Sequence, residues 1–268
     1  MAVVLEHVSF AYNGEPVIDD TTLTVGQGLV HLVFGPTGCG KTTFALLLVG
    51  LLRPQEGTVL VDGADPAGAG FNRQSIQLAF QFPETQMFEL TVEKELSYAL
   101  GNFGLIPGEI RKRCDWAMDC VGLPRSFLAR DPHNLSFGER RKVALASAIA
   151  VKPAYLILDE PLAGLDWTGR RNLVEVIERM KAEGMTSVIL THETDLIGEV
   201  GDMVLSMAGG RISEPHPAAD FVYDGPGDPY MPEFIRVLRL MEQGGFSVSG
   251  KPYRIEDVTR AIVHAVSS

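Results

Sequence analysis

Cysteine is scarce: Cys39, Cys114 and Cys120 are the only three in 268 residues, and no two of them form a C-x-x-C pair. An odd count without such a pair supports neither a disulfide framework nor a zinc site, and a reducing compartment fits best. Long apolar runs are missing as well. The longest, Phe44 to Leu52, includes Gly50 and falls far short of the ~18 residues needed to cross a bilayer. The opening residues MAVVLEHVSF have no positive n-region and no long h-region, which argues against a signal peptide. A soluble intracellular chain is therefore expected, with any membrane role exerted through a partner. Basic residues are in deficit, 23 Lys and Arg against 34 Asp and Glu, for a net charge of −11. Proteins that coat phosphate backbones carry the opposite balance, so nucleic acid is not an expected partner.

What is present is apolar substance, 46% of the chain, enough for one large core and an appendage. Residues 3–12 alternate as a half-buried strand does, YNGEP reads as a turn, and 17–25 as a second strand. LVHLVF (29–34) is a buried strand ending at glycine, followed by an apolar helix from Lys41 to Leu52 and the strand TVLVDG. Residues 75–82 alternate again. Helical patterns from Thr91, over 107–121 and over 136–150 then interrupt the strands, which marks an inserted subdomain at about 83–150. The strand AYLILDE, a helix at about 168–183, a strand at 185–191 and a strand pair reaching about residue 213 complete an alternation that predicts a mostly parallel α/β sheet. From Glu214 the composition turns to Pro, Gly and Asp, as in a linker over 214–230, and two helical patterns at 232–243 and 255–266 form a C-terminal extension over 231–268.

GPTGCGKT, Gly35 to Thr42, fits G-x-x-x-x-G-K-[ST] between a strand and a helix, the setting that supports a phosphate-binding loop. The residues concerned are Gly35, Pro36, Thr37, Gly38, Cys39, Gly40, Lys41, Thr42 and Thr43. Glycines let successive N–H groups point inward at phosphate oxygens, and the helix N-terminus favours an anion. Lys41 would meet the β and γ phosphates of ATP and the Thr42 hydroxyl would hold Mg²⁺. A redox role for Cys39 is the weaker alternative, because its position in the motif is a free one.

Asp159 and Glu160 end the strand YLILDE, and ligands of parallel sheets bind beyond the carboxyl ends of strands. Asp159 can orient Mg²⁺ or its waters. Neighbouring residues of a strand point to opposite faces, but a turn at the strand end would let Glu160 face an attacking water as general base. Two solvated carboxylates are the plain alternative. His192, at the end of the following strand, can reach a γ-phosphate or can simply be a polar terminus.

At this point the sequence resembles the ATP-binding subunits of ABC transporters over about residues 3–213. Gln81 in AFQFPE resembles the Q-loop, LSFGE (135–139) the signature, YLILDEP the Walker B strand, AGLD (163–166) the D-loop, and His192 in LTHE the switch loop. Tyr12 stands where the family stacks an aromatic on adenine. The resemblance implies a P-loop ATPase core of α/β class with an antiparallel β subdomain, an inserted helical subdomain and a small C-terminal helical extension. It implies a second ATPase chain, identical or a paralogue, with Ser136 and Gly138 serving the partner's ATP and Asp166 of the D-loop among the ATP-binding residues. Lys41, Thr42, Gln81, Asp159, Glu160 and His192 would serve the chain's own ATP, with Thr42, Gln81 and Asp159 around Mg²⁺. The signature departs from the common L-S-G-G-Q at Phe137 and Glu139, which leaves its loop geometry open.

Residues 80–100 and the tail 231–262 are similar to those of ATPases from energy-coupling-factor importers. That likeness implies a place on the cytoplasmic face of the membrane, a transmembrane coupling protein, a substrate-capturing membrane protein and a micronutrient cargo. Phe82, Phe88 and Tyr98 either help grip the coupling protein or fill the subdomain core. The competing functions are another ABC transporter class, a soluble ABC ATPase acting on DNA or ribosomes, and a P-loop kinase. Thr42 and Leu135 are 93 positions apart (135 − 42), with no sustained heptads between them. That disfavours chromosome-maintenance ATPases, and a kinase would need neither signature nor D-loop.

Overall fold

The computed structural model describes residues 1–224, 231–246 and 250–267. β1 (Ala2–Tyr12) and β2 (Glu15–Gly26) form a hairpin. Its turn residues Asn13 and Gly14 both have positive φ, as a two-residue turn matched to strand twist requires. Along β1 the buried side chains are Val3 and Leu5, then Val8 and Phe10, so the alternation slips by one. A bulge accounts for it: the ladder shifts register between Leu5 and Val8, with His7 at φ 51°. The extra residue returns the apolar side chains to the same face.

β3 (Val30–Phe34) is buried throughout and leads through the glycine loop into α1 (Lys41–Leu48). α1 stops four residues short of the expected Leu52. Gly50 takes φ 71°, and the Leu51 and Leu52 N–H groups turn back onto the Leu46 carbonyl at 2.9 and 3.1 Å, a glycine-terminated helix end. β4 (Glu56–Val61) pairs antiparallel with β1, giving a three-stranded sheet ordered β2-β1-β4.

β5 (Ile76–Ala79) is shorter than expected, because Pro83 opens a 3₁₀ turn over Pro83–Gln86 and the intervening residues bend. The helical insertion follows: α2 (Val92–Asn102), capped by the Thr91 side chain, α3 (Pro107–Cys120), with proline in its first turn, and α4 (Phe137–Ala150). The chain then re-enters the sheet with β6 (Tyr155–Asp159), α5 (Trp167–Ala182), β7 (Thr186–Thr191), α6 (Leu196–Glu199), β8 (Met203–Ala208) and β9 (Arg211–Ile212). β5, β6, β7, β3 and β8 lie side by side in parallel. The loops after β3, β6 and β7 therefore leave the sheet at one edge, where ligands of such sheets bind.

The period of two along the central strands separates two cores. Val33, Ile157 and Leu190 face α1 and the antiparallel sheet, with Phe44 and Leu47. Leu32, Phe34, Leu158 and Ile189 face the other way, with Ile149 of α4 and Ile177 of α5.

Where a bare linker is expected from residue 214, β10 (His216–Pro217) pairs with β8, and α7 (Ala218–Asp224) buries Ala218, Phe221 and Val222. The remainder of the expected linker, 225–230, and residues 247–249 of the extension lie outside the described residues. α8 (Glu233–Gln243) and α9 (Ile255–Ser267) coincide with the two expected C-terminal helices. Phe88 and Tyr98 are 57% and 50% exposed and meet edge to face at 4.8 Å, and Phe82 is 45% exposed, so all three belong to the surface rather than the subdomain core.

Candidate functional site: the phosphate loop and its carboxylates

The glycine loop is held close to its neighbours. Gly38 and Gly40 have φ of 83° and 109°, backbone that side chains rarely adopt. A Cβ on Gly40 would come within 2.7 Å of both Val17 and Met207, and one on Gly35 within 2.6 Å of the Met207 carbonyl and the Cys39 sulfur. Pro36, Thr37, Gly38 and Thr42 are exposed, Cys39 and Gly40 half-buried, and Gly35 and Thr43 buried. The loop thus offers an open rim over a packed base.

Lys41 is only 7% exposed. Its ammonium donates to the Gly35 carbonyl at 2.7 Å and the Pro36 carbonyl at 3.3 Å, and lies 3.2 Å from Glu160 Oε1. The other Glu160 oxygen is 3.0 Å from Nδ1 of His192. Thr42 Oγ1 donates to Asp159 Oδ2 at 2.6 Å. Burial pushes the Asp159 carboxyl above its ordinary range and the Glu160 charge adds to this, while the Thr42 bond and Lys41 oppose it.

Two consecutive strand residues reach one site because Glu160 has φ 45°, a left-handed turn outside the strand. Its N–H remains anchored to the Leu190 carbonyl of β7 at 2.8 Å. A non-glycine residue in that conformation costs about 1–3 kcal/mol, and such strain concentrates at functional sites.

Lys41, Thr42, Asp159, Glu160 and His192 are thus joined by direct contacts. Tyr12, Gln81, Ser136, Gly138 and Asp166 share no hydrogen bond or ion pair with those five. Tyr12 is 44% exposed and packs edge to face on Phe10 at 4.9 Å. Gln81 is exposed in the bend after β5. Ser136, Gly138 and Asp166 line a separate cavity of about 540 Å³ between the starts of α4 and α5, together with Phe137, Glu139 and Arg141. Asp166 caps α5 by accepting the Gly169 N–H at 2.7 Å.

Ser136 and Glu139 form a reciprocal cap at the start of α4. Glu139 Oε2 accepts the Ser136 N–H at 2.8 Å, and Ser136 Oγ accepts the Glu139 N–H at 3.4 Å. The S-x-x-E spacing within LSFGE is the sequence signal for this cap. Arg141, shortly after, belongs to none of the sequence motifs. It is 7% exposed and donates to the Pro161 and Ala163 carbonyls, at 2.5 and 2.6 Å, which ties α4 to the chain leaving β6. Its place in the basic run Arg140-Arg141-Lys142 gives no sign of so distant a partner.

The sequence model described as ABC transporter matches residues 18–163. The chain is 40% identical over 221 residues to an energy-coupling factor transporter ATP-binding protein, EcfA2, of Symbiobacterium thermophilum, covering 79% of this chain and 77% of that one. It is 34% identical over 277 residues to the EcfA2 of Streptococcus pneumoniae, with 98% and 99% covered. The solved structure of cbiO1 from Clostridium perfringens, described as part of the ABC transporter complex cbiONQ, superposes with a TM-score of 0.75 at 30% identity, covering 91% of this chain and 97% of that one. Family match, near-full-length relatives and shared fold agree: this chain belongs to the ABC transporter family, as an ATP-binding subunit.

Proposed function

We propose that the chain is the motor subunit of an energy-coupling-factor-type importer, in which ATP-driven closure of two ATPase chains powers uptake of a micronutrient through membrane partners. The observation that carries the catalytic part is the continuous contact chain Lys41–Glu160–His192 beside the Thr42–Asp159 bond.

The glycine loop binds the phosphates through backbone N–H groups. On meeting ATP, Lys41 exchanges its Glu160 and Pro36 contacts for β- and γ-phosphate oxygens. That exchange frees a Glu160 carboxylate to take a proton from the attacking water. His192 holds the other side of that carboxylate and presents its Nε2 toward the γ-phosphate. Ser136 and Gly138, with the helix end they form, serve the ATP of the partner chain, and Asp166 stands at that boundary. Tyr12 stacks on the adenine.

The donor set at Thr42 and Asp159 suits Mg²⁺: a hydroxyl and one carboxylate within 2.6 Å of each other, all hard oxygen, with the Gln81 amide available from the bend. Mg²⁺ is commonly held by one or two carboxylates together with phosphates and waters. When bound, the ion neutralises charge on the β and γ phosphates.

The energy-coupling-factor assignment draws on the EcfA2 likeness, which runs through the C-terminal extension as well as the core. Among the described residues no helix is long and apolar enough to cross a membrane, which fits a peripheral subunit on the cytoplasmic face. The exposed Phe82, Phe88 and Tyr98 suit a surface that grips a transmembrane coupling protein. The test is fractionation with and without co-expressed membrane partners. Membrane association that requires those partners, with MgATP-dependent phosphate release in the assembled complex, is the expected result. Recovery on ribosomes or DNA alone would discard the importer.

A further inference from the structure

The His192 side chain is 60% exposed and bonded to Glu160, so its position is set largely by the loop that bears it. That loop has a firmer hold one residue on. The Glu193 N–H donates to Thr191 Oγ1 at 3.0 Å, and its carboxylate accepts Nη1 of Arg170 at 2.5 Å. Arg170 lies in the first turn of α5, four residues after Asp166, whose carbonyl accepts its N–H at 2.9 Å. Its Nε donates to both oxygens of Glu199 in α6, at 3.0 and 3.3 Å. The three side chains are 23%, 31% and 19% exposed, so they are largely withdrawn from solvent. Glu199 is held from its other side too, where its backbone carbonyl accepts Nη1 of Arg254 at 3.1 Å, just before α9 in the C-terminal extension.

We propose that Arg170 is a positioning residue for His192: it locks the switch loop to the start of α5, so that His192 moves relative to Glu160 only together with the Asp166–Arg170 segment. The proposal rests on the role given above to His192. The physical need is plain, because Glu193, Asp195 and Glu199 all bear on this one guanidinium. Without it, three carboxylates repel one another across the loop that carries the histidine. A guanidinium can bridge two carboxylates along its planar fork, whereas a lysine ammonium is a point charge on a flexible stem. A contact of this kind has consequence when the reacting groups tolerate little misplacement, and shifts of about 1 Å cost roughly 100-fold in rate.

The experiment measures ATP turnover of the full chain assembled with its membrane partners. Arg170→Met, Arg170→Lys and Glu193→Gln are each made in the wild-type and the His192→Ala backgrounds. Arg170→Met is expected to lower kcat by roughly 10- to 100-fold with KM for ATP within about twofold. Arg170→Lys recovers little of the loss, and Glu193→Gln shows it in milder form. In the His192→Ala background none of the three lowers kcat further. If Arg170→Met does not fold, Glu193→Gln alone carries the comparison, since it weakens one bond. An equal loss in both backgrounds would assign Arg170 to structure, and a normal Arg170→Met beside a crippled His192→Ala would overturn this proposal alone. His192→Ala turning over at the wild-type rate would overturn the role of His192 and this proposal with it.

Discussion

Lys41 and Glu160 form an ion pair at 3.2 Å, with 7% and 15% of their side chains exposed. Glu160 reaches that position through a left-handed backbone turn at φ 45°. A carboxylate held there by strain, and shared with His192 on its other oxygen, is suited to act rather than to brace. Glu160→Gln keeps the shape and removes the base. Turnover should fall by about 100- to 10,000-fold while ATP still binds, and an ATP-bound dimer should accumulate. Phosphate release, with size-exclusion chromatography in the presence and absence of MgATP, checks this. Near-normal turnover would refute the assignment.

The loop glycine at position 40 admits no side chain. It sits at φ 109°, and an added Cβ would lie 2.7 Å from Val17 and from Met207. Gly40→Ala should therefore destabilise the chain by about 1–3 kcal/mol and abolish binding of a fluorescent ATP analogue. Urea denaturation and a binding titration read the two effects separately. Unchanged stability would mean that Val17 and Met207 yield easily.

Much of this arrangement is legible in the sequence because its signals are local. The phosphate loop, the Thr91 cap, the proline opening α3 and the apolar runs of β3 and β6 each lie within a few consecutive residues. What escapes are relationships set by tertiary packing. α1 ends early at Gly50, a glycine inside the apolar run, and Gly50 also lies against the Pro66 and Ala67 backbone, a contact that no helical pattern reveals. β10 and α7 lie in a stretch whose composition resembles a linker, yet docking on β8 gives them partners. The bond between Arg141 and the chain after β6 spans about twenty residues of sequence, and the Arg170–Glu193 pair spans 23. Composition cannot announce either.

Glu139 replaces the glutamine common at the end of the signature, and its pH behaviour should show the cap it forms. The Ser136 side-chain and backbone bonds hold the Glu139 carboxyl below its ordinary value. A carboxyl whose folded value is depressed contributes stability above its unfolded pKa and loses it as pH falls through the folded one. The residue is half-buried but its carboxyl is little desolvated, so the contribution is screened and small. Glutamine can also close a capping box. Glu139→Gln should therefore leave stability at pH 7 nearly unchanged and flatten its dependence below about pH 4.5. Glu139→Ala should cost about 0.5–1 kcal/mol at pH 7. Thermal melts from pH 3.5 to 7 make the comparison. The same Gln variant removes a negative charge from the helix end that would meet the partner's triphosphate, so it should also tighten the ATP-dependent dimer. A weaker dimer would argue that Glu139 contributes more than a cap.

The three cysteines offer a final check, because the fold makes them unequal. Cys114 is 3% exposed, and its thiol is pushed up to about 11 by burial first and by Glu93 and Asp115 after that. Cys120 is raised for the same leading reason, with Glu183 next. Thiolates are the reactive species, so at pH 8 only about one Cys114 in a thousand would be ionised. Cys39 is half-buried in the phosphate loop, with its sulfur beside Gly35. An aromatic disulfide reagent at pH 7.5 should therefore modify one thiol in the native chain and three in denaturant, and Cys39→Ala should remove the native reaction. Saturating MgATP should slow it, because phosphates drawn into the loop engage the backbone on either side of residue 39. Rapid native labelling of Cys114 would contradict its place in the helical core. Labelling of Cys39 unaffected by MgATP would contradict the placement of the triphosphate.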